Sequence, residues 1–266
     1  MVEPEGVATV PSTSWTLPPP SPRPFPLGRE EVHVWQAALD LPEAGVWELR
    51  RLLSEDEQRR AEGFYFPRDR ARYVVGRGLL RTLLGGYLDR DPVGLRFSYS
   101  AYGKPRLAGP AGEPALHFNL AHSGGLALYA LARGRELGID VEQVRPDFAG
   151  EEIAARFFSP REVAALRAVP AGLRREAFFH CWARKEAYLK ATGKGLSLAL
   201  DGFDVALAPG EPAALLAVRD NPAEAGRWSL RALEPAPGYV AALAVEGHSW
   251  RLHCGCWPAP AGPARL

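Results

Sequence analysis

The spacing of apolar positions switches between a two-residue and a helical period along the chain, and each switch marks an element. "EVHVWQAAL" alternates apolar and polar residues from near Val32 and predicts a strand. "LLSEDEQRRAEGF" then predicts a helix, with Ser54 as its cap ahead of acidic first-turn residues. "RDRARYVVGRGLLRTLLGGYL" predicts a longer helix, rich in arginine on its polar side and ending near Gly85 and Gly86. "LRFSYSAYGKPRL" and "ALHFNLAHSGGLALYALA" read as strands turned at Tyr102-Gly103 and Gly124-Gly125, and "LGIDVEQV" as one more. Helical spacing returns in "PREVAALRAV", capped by Ser159, and in "LRREAFFHCWARKEAYLKATG", stopped by Gly193. "GFDVALA", "WSLRAL", "YVAALAVEG" and "WRLHCGCW" supply closing strands.

This order predicts an α+β fold of two comparable halves, with short helices packed on antiparallel sheets. Pro11, Pro18, Pro19, Pro20, Pro22, Pro24 and Pro26 make residues 1–30 an extended, poorly ordered leader. The halves are expected over 31–136 and 137–258, with a frayed tail over 259–266. At 266 residues, 47% hydrophobic and 24% charged, the chain has the composition of an ordinary globular protein. A net charge of +1 supplies no field for nucleic acid, which is excluded as a partner. No stretch reaches membrane-spanning length without charge or proline, so no membrane role is expected. Glu3 and Glu5 stand where a secretory signal needs basic residues, and three cysteines form no disulfide framework, so a reducing cytoplasm is expected.

Two segments carry chemistry. In "LGIDVE" the two-residue strand period puts Asp140 and Glu142 on the face opposite Ile139 and Val141. Adjacent acids repel unless solvent or a cation screens them, and two carboxylates with phosphate oxygens and water suit Mg²⁺. From the pair alone, a solvated edge-strand face is the stronger account. In "FFHCWARKEAYLKATGKGLS" helical spacing places Trp182, Glu186 and Lys190 on one ridge, where Glu186 offers a third carboxylate and Lys185 and Lys190 offer cations for phosphate. An ordinary surface Glu-Lys pair is the competing account. "GKGLS" is not a nucleotide loop, because Gly195 follows Lys194 and the segment follows a helix instead of opening one. "HCGC" at His253 to Cys256 lacks the second ligand cluster of a zinc site, His180 reads as packing or surface, and Trp182 reads as a core anchor.

"GIDVE", "FFSPREVAAL" and "FFHCWARKEAYLKATGKGL", in that order, resemble the 4′-phosphopantetheinyl transferases of the surfactin-synthetase-activating type. The resemblance extends upstream through "FNLAHSGGLALYAL", "YGKPRL" and "RDRARYVVGRGLLR", and so covers most of the chain after the leader. It implies two related α+β subdomains in one chain with the site at their junction, and a monomer. It also implies a function: transfer of 4′-phosphopantetheine from coenzyme A to a serine of an apo acyl- or peptidyl-carrier protein, Mg²⁺-dependent, with release of 3′,5′-ADP. By the resemblance Asp140, Glu142 and Glu186 hold the metal, Lys190 and Lys185 match phosphate-side lysines, and His122 touches a coenzyme A phosphate. Lys104 and Arg72, with Arg68 as a companion, would meet the 3′-phosphate end. Ala121 departs from the serine that relatives often carry before the histidine.

For that reaction Glu186 is the expected general base, and Lys190 with His122 would stabilise charge on the leaving group. A Mg²⁺-dependent phosphohydrolase, or a non-catalytic carrier-binding module, remains as an alternative until the product is identified.

Overall fold

The computed structural model describes Trp15 and residues 25–108, 115–145 and 150–257. Most of the expected leader and all of the expected tail lie outside the described residues. In chain order the elements are β1 (Glu31–Ala38), α1 (Glu43–Arg50), α2 (Glu55–Glu62), α3 (Pro67–Leu88), β2 (Phe97–Tyr99), β3 (Pro105–Leu107), β4 (Leu116–Ser123), β5 (Leu126–Arg133) and β6 (Leu137–Gln143). They continue as α4 (Gly150–Phe157), α5 (Pro160–Ala168), α6 (Arg174–Thr192), β7 (Phe203–Val205), β8 (Leu215–Val218), β9 (Trp228–Leu233), β10 (Tyr239–Glu246) and β11 (Arg251–Cys256).

Strand alternation sorts the apolar residues into layers. One face of β1, β4 and β5 sends Trp35, Phe118, Tyr129 and Leu131 against Val75, Leu79 and Leu83 of α3. The other face sends Val32, Val34, Leu128 and Ala130 against Ile139, Val141, Ala241 and Leu243 of a second sheet, ordered β6-β10-β9. That sheet's far face, through Val240, Ala242 and Ala244, packs on α6 with α4 and α5 behind it. The layers therefore run helix, sheet, sheet, helix, which is the expected α+β class.

One strand crosses between the expected halves. The last strand, β11, pairs in parallel with β1, from Glu31↔Arg251 to Gln36↔Cys256, so the first sheet is ordered β11-β1-β5-β4. It covers the edge that β1 would otherwise leave open to solvent. The first long helix also differs from expectation, running past Gly85 and Gly86 to a left-handed cap at Asp89. A Cβ on Gly85 would lie 2.8 Å from the Arg90 carbonyl, and one on Gly86 2.4 Å from the Phe25 ring, so these glycines permit close packing instead of ending the helix. The elements α1, α4 and β8 carry too short a pattern to stand out in the sequence. Among the described residues no helix is long and apolar enough to cross a membrane.

Candidate active site

The strand β6 is covered on both faces, which removes the solvated-edge account of its acids. Ile139 and Val141 enter the core between the sheets, and Asp140 lies on the opposite face, toward α6. The helix comes this close because residue 138 is glycine: a Cβ there would stand 2.2 Å from both the Ala187 carbonyl oxygen and the Ala191 amide nitrogen. Glu186 and Lys190, one turn apart, consequently meet the strand's acids.

Asp140 is 5% exposed, and its Oδ1 accepts a hydrogen bond from Lys190 Nζ at 2.6 Å. Its other oxygen, Oδ2, is buried with no hydrogen-bond partner. Burial pushes the Asp140 carboxyl above its ordinary range, and Lys190 opposes the rise without cancelling it. Burial also raises Glu142 and Glu186, and the charge of Asp140 adds to the rise in both. Among the described residues no three His, Cys, Asp or Glu side chains are grouped as a ready-made metal cage. The three acids are instead linked through charge, with Lys190 acting on each of them.

The first sheet contributes the opposite wall. The Ile139 N–H donates to Asn119 Oδ1 at 2.9 Å and the Gln143 N–H to Ser123 Oγ at 3.1 Å, so side chains of β4 satisfy the free edge of β6. The Ser123 hydroxyl also donates to Glu142 Oε2 at 3.1 Å. Between these residues stands the exposed His122, whose imidazole is held below its ordinary value by desolvation and by the charges of Lys190 and Arg72. Sequence reasoning did not single out Asn119 and Ser123, although both belong to the "FNLAHS" run that pointed to His122.

Arg72 and Arg68, together with Arg145, line a cavity of about 590 Å³ beside the Gly124-Gly125 turn. Arg72 is held by Asp40 in a fork of two 2.7 Å hydrogen bonds. A Cβ on Gly125 would fall 2.6 Å from Asp40 Oδ2, so glycine keeps room for that fork. A second cavity, of about 280 Å³, is lined by Lys104, Asn119, Glu186 and Lys190.

Two lysines depart from expectation. Lys185 is fully buried, with its ammonium donating to the Leu200 and Phe203 carbonyls at 2.7 Å and paired with Glu162 at 2.8 Å. A helix turns 100° per residue, so the neighbour of a cleft-facing Glu186 points into the core. Lys104 donates to Glu136, to the Leu137 carbonyl and to the Ala191 carbonyl at 2.9–3.1 Å, which uses all three ammonium protons. Trp182 stacks on Phe178 at 6.0 Å as a core anchor, and His180 pairs with Glu176 away from the acids.

Comparison with known proteins matches this layout. Residues 136–244 match the 4′-phosphopantetheinyl transferase superfamily, and residues 41–133 match the family described as 4′-phosphopantetheinyl transferase, N-terminal. The 4′-phosphopantetheinyl transferase HetI of Nostoc sp. is 45% identical over 90% of this chain and 96% of its own length. The 4′-phosphopantetheinyl transferase Sfp of Bacillus subtilis is 36% identical over 58% of this chain and 66% of its own. A further Bacillus subtilis 4′-phosphopantetheinyl transferase is 38% identical over the same shares. With both halves matched and the acid strand, the ridge helix and the bridging strand β4 meeting at one cleft, the chain belongs to the 4′-phosphopantetheinyl transferase family.

Proposed function

We propose that this enzyme takes 4′-phosphopantetheine from coenzyme A and attaches it to a serine hydroxyl of an apo acyl- or peptidyl-carrier protein, releasing 3′,5′-ADP. The observation that carries the reading is Asp140 Oδ2, a carboxylate oxygen buried without a partner beside two further acids. Such an orphan costs about 1–3 kcal/mol or more, and the cost is relieved when a ligand supplies the missing contact. A hard divalent cation fits this donor set, since Mg²⁺ seeks oxygen ligands and completes an octahedral shell with phosphate oxygens and water. Asp140, Glu142 and Glu186 would hold it, and when bound it neutralises pyrophosphate charge.

The rest falls to the protein's own groups. Glu186, whose carboxyl is raised by burial, would take the proton of the carrier serine as its oxygen attacks phosphorus. Lys190 and His122 face the charge that grows on the departing 3′,5′-ADP, and Arg72 and Arg68 meet its 3′-phosphate end. Ser123 steadies Glu142, and Asn119 fixes the strand that bears both acids. With both halves in one chain the enzyme works as a cytoplasmic monomer, without nucleic-acid or membrane partners.

The test is incubation with coenzyme A, Mg²⁺ and an apo-carrier protein, read by mass spectrometry. A gain of one phosphopantetheine on one serine, dependent on Mg²⁺ and lost in Glu186→Gln, is the expected result. Breakdown of coenzyme A without any carrier would make the protein a phosphohydrolase, and no turnover of either kind would leave a binding module.

A further inference from the structure

We propose that Lys104 is a positioning residue, an inter-lobe clamp that fixes the two catalytic elements β6 and α6 relative to each other, and not a ligand for substrate phosphate. The inference rests on the transferase reading above and concerns how its site is held together.

An ammonium group has three donors, and here each is used. Lys104 Nζ stands 2.9 Å from Glu136 Oε2, 3.0 Å from the Leu137 carbonyl and 3.1 Å from the Ala191 carbonyl. The side chain is 8% exposed, so a phosphate reaching it would have to displace one of these bonds inside the protein. The acceptors are not scattered. Leu137 opens β6, three residues before Asp140, and Ala191 follows Lys190 in the last turn of α6. Carbonyls of a last helical turn have no partner within the helix, and the negative end of the helix dipole favours a cation there. One ammonium thus ties the root of the acid strand to the end of the lysine-bearing helix, from a residue that belongs to the other lobe.

Both ends of Lys104 are fixed. Its backbone N–H donates to Ser100 Oγ at 3.0 Å, its carbonyl accepts from the Ser100 N–H at 2.9 Å, and the preceding Gly103 takes the left-handed φ of 82° that closes the turn. At the far end Glu136 is itself held by Arg106 at 2.8 Å and faces His117 at 3.4 Å. Against the pull of burial, His117 and Lys104 bring the Glu136 carboxyl down to about 2, so it stays charged through the neutral range. Gly193, just past α6, takes the left-handed φ of 68° that ends the helix beside the lysine stem.

The experiment compares coenzyme A with 3′-dephospho-coenzyme A as donors for wild type, Lys104→Met and Arg72→Ala, with kcat expressed per folded enzyme. Displacing reacting groups by about 1 Å costs up to about a hundredfold, so Lys104→Met should lose about tenfold to a hundredfold in kcat. The ratio of KM values for the two donors should stay as in wild type, whereas Arg72→Ala should bring the two values together. A residue that only supports the fold would leave kcat per folded enzyme unmoved. Should Lys104→Met bring the donor KM values together as Arg72→Ala does, Lys104 binds the 3′-phosphate and the clamp is wrong; unchanged kcat also overturns it. If Lys104→Met does not fold, Glu136→Leu removes one of three acceptors and should give a smaller fall in kcat with the donor ratio kept, an unchanged kcat again being the overturning result. Wild type without carrier-dependent transfer would refute the proposed function itself, a distinct outcome.

Discussion

Buried charge is treated differently in the lobes and in the cleft between them. In the N-terminal lobe Glu57, 2% exposed, accepts from Arg77, from Arg81 at 2.6 Å and from the Ser54 N–H at 3.0 Å. In the C-terminal lobe Glu162 accepts from the Val205 N–H at 2.8 Å, the Ser159 N–H at 2.9 Å and Lys185 at 2.8 Å. Every oxygen there is matched, and the networks lock helix ends and strand starts in place. Asp140 is equally enclosed, yet while Lys190 meets its Oδ1, its Oδ2 has no hydrogen-bond partner among the described residues. The contrast sets two carboxylates fully matched within their lobes against one that keeps an unpartnered oxygen beside two further acids.

Mutation can break that comparison from either side. Glu57→Ala, which strands Arg77 and Arg81 in the interior, should cost about 3–5 kcal/mol in urea unfolding, while the folded fraction keeps its activity. Glu186→Gln should do the reverse, lowering transfer by about a hundredfold to a thousandfold in the mass-shift assay with the urea midpoint unchanged or raised. Lys185→Met should cost about 3 kcal/mol of stability and leave KM for coenzyme A unaltered, since that lysine faces the core and not the cleft. The smallest effect is the pH dependence of stability. Glu57 is held below its ordinary value by its arginines and the Ser54 amide, against the pull of burial, so its contribution is present above the unfolded carboxylate range and is lost as pH falls through its folded value. Glu186 is raised by burial, so the ligand-free protein loses stability as pH rises through its folded value, and Glu186→Gln should flatten that limb by about 1 kcal/mol or less. Thermal melts between acid and neutral pH, without metal or donor, would separate the two slopes.

Much of this was legible from period and spacing. The two-residue alternation of "GIDVE" placed Ile139 and Val141 opposite the acids, and the i, i+4 ridge joined Glu186 to Lys190, because both follow from local geometry. Partners that arrive from distant chain were not legible. Nothing near Lys185 in sequence announces Glu162, Leu200 and Phe203, and nothing near Lys104 announces Ala191, so both lysines read as free cations. The same holds for Gly85 and Gly86, which resemble a helix stop until Phe25 and Arg90 are seen against them. Asn119 shows the limit most plainly: its role is to satisfy the backbone of a strand in the other sheet, a need invisible until the two sheets are stacked.

The strand 251–256, zipped beside 31–36, makes the order of synthesis matter. A ribosome delivers the first partner more than two hundred residues before the second, so the N-terminal sheet stays open on one side until residues 251–256 have been made. Removing β11 would therefore damage the sheet built on β1, β5 and β4, and a stop codon near residue 250 should yield a chain that is sticky along β1.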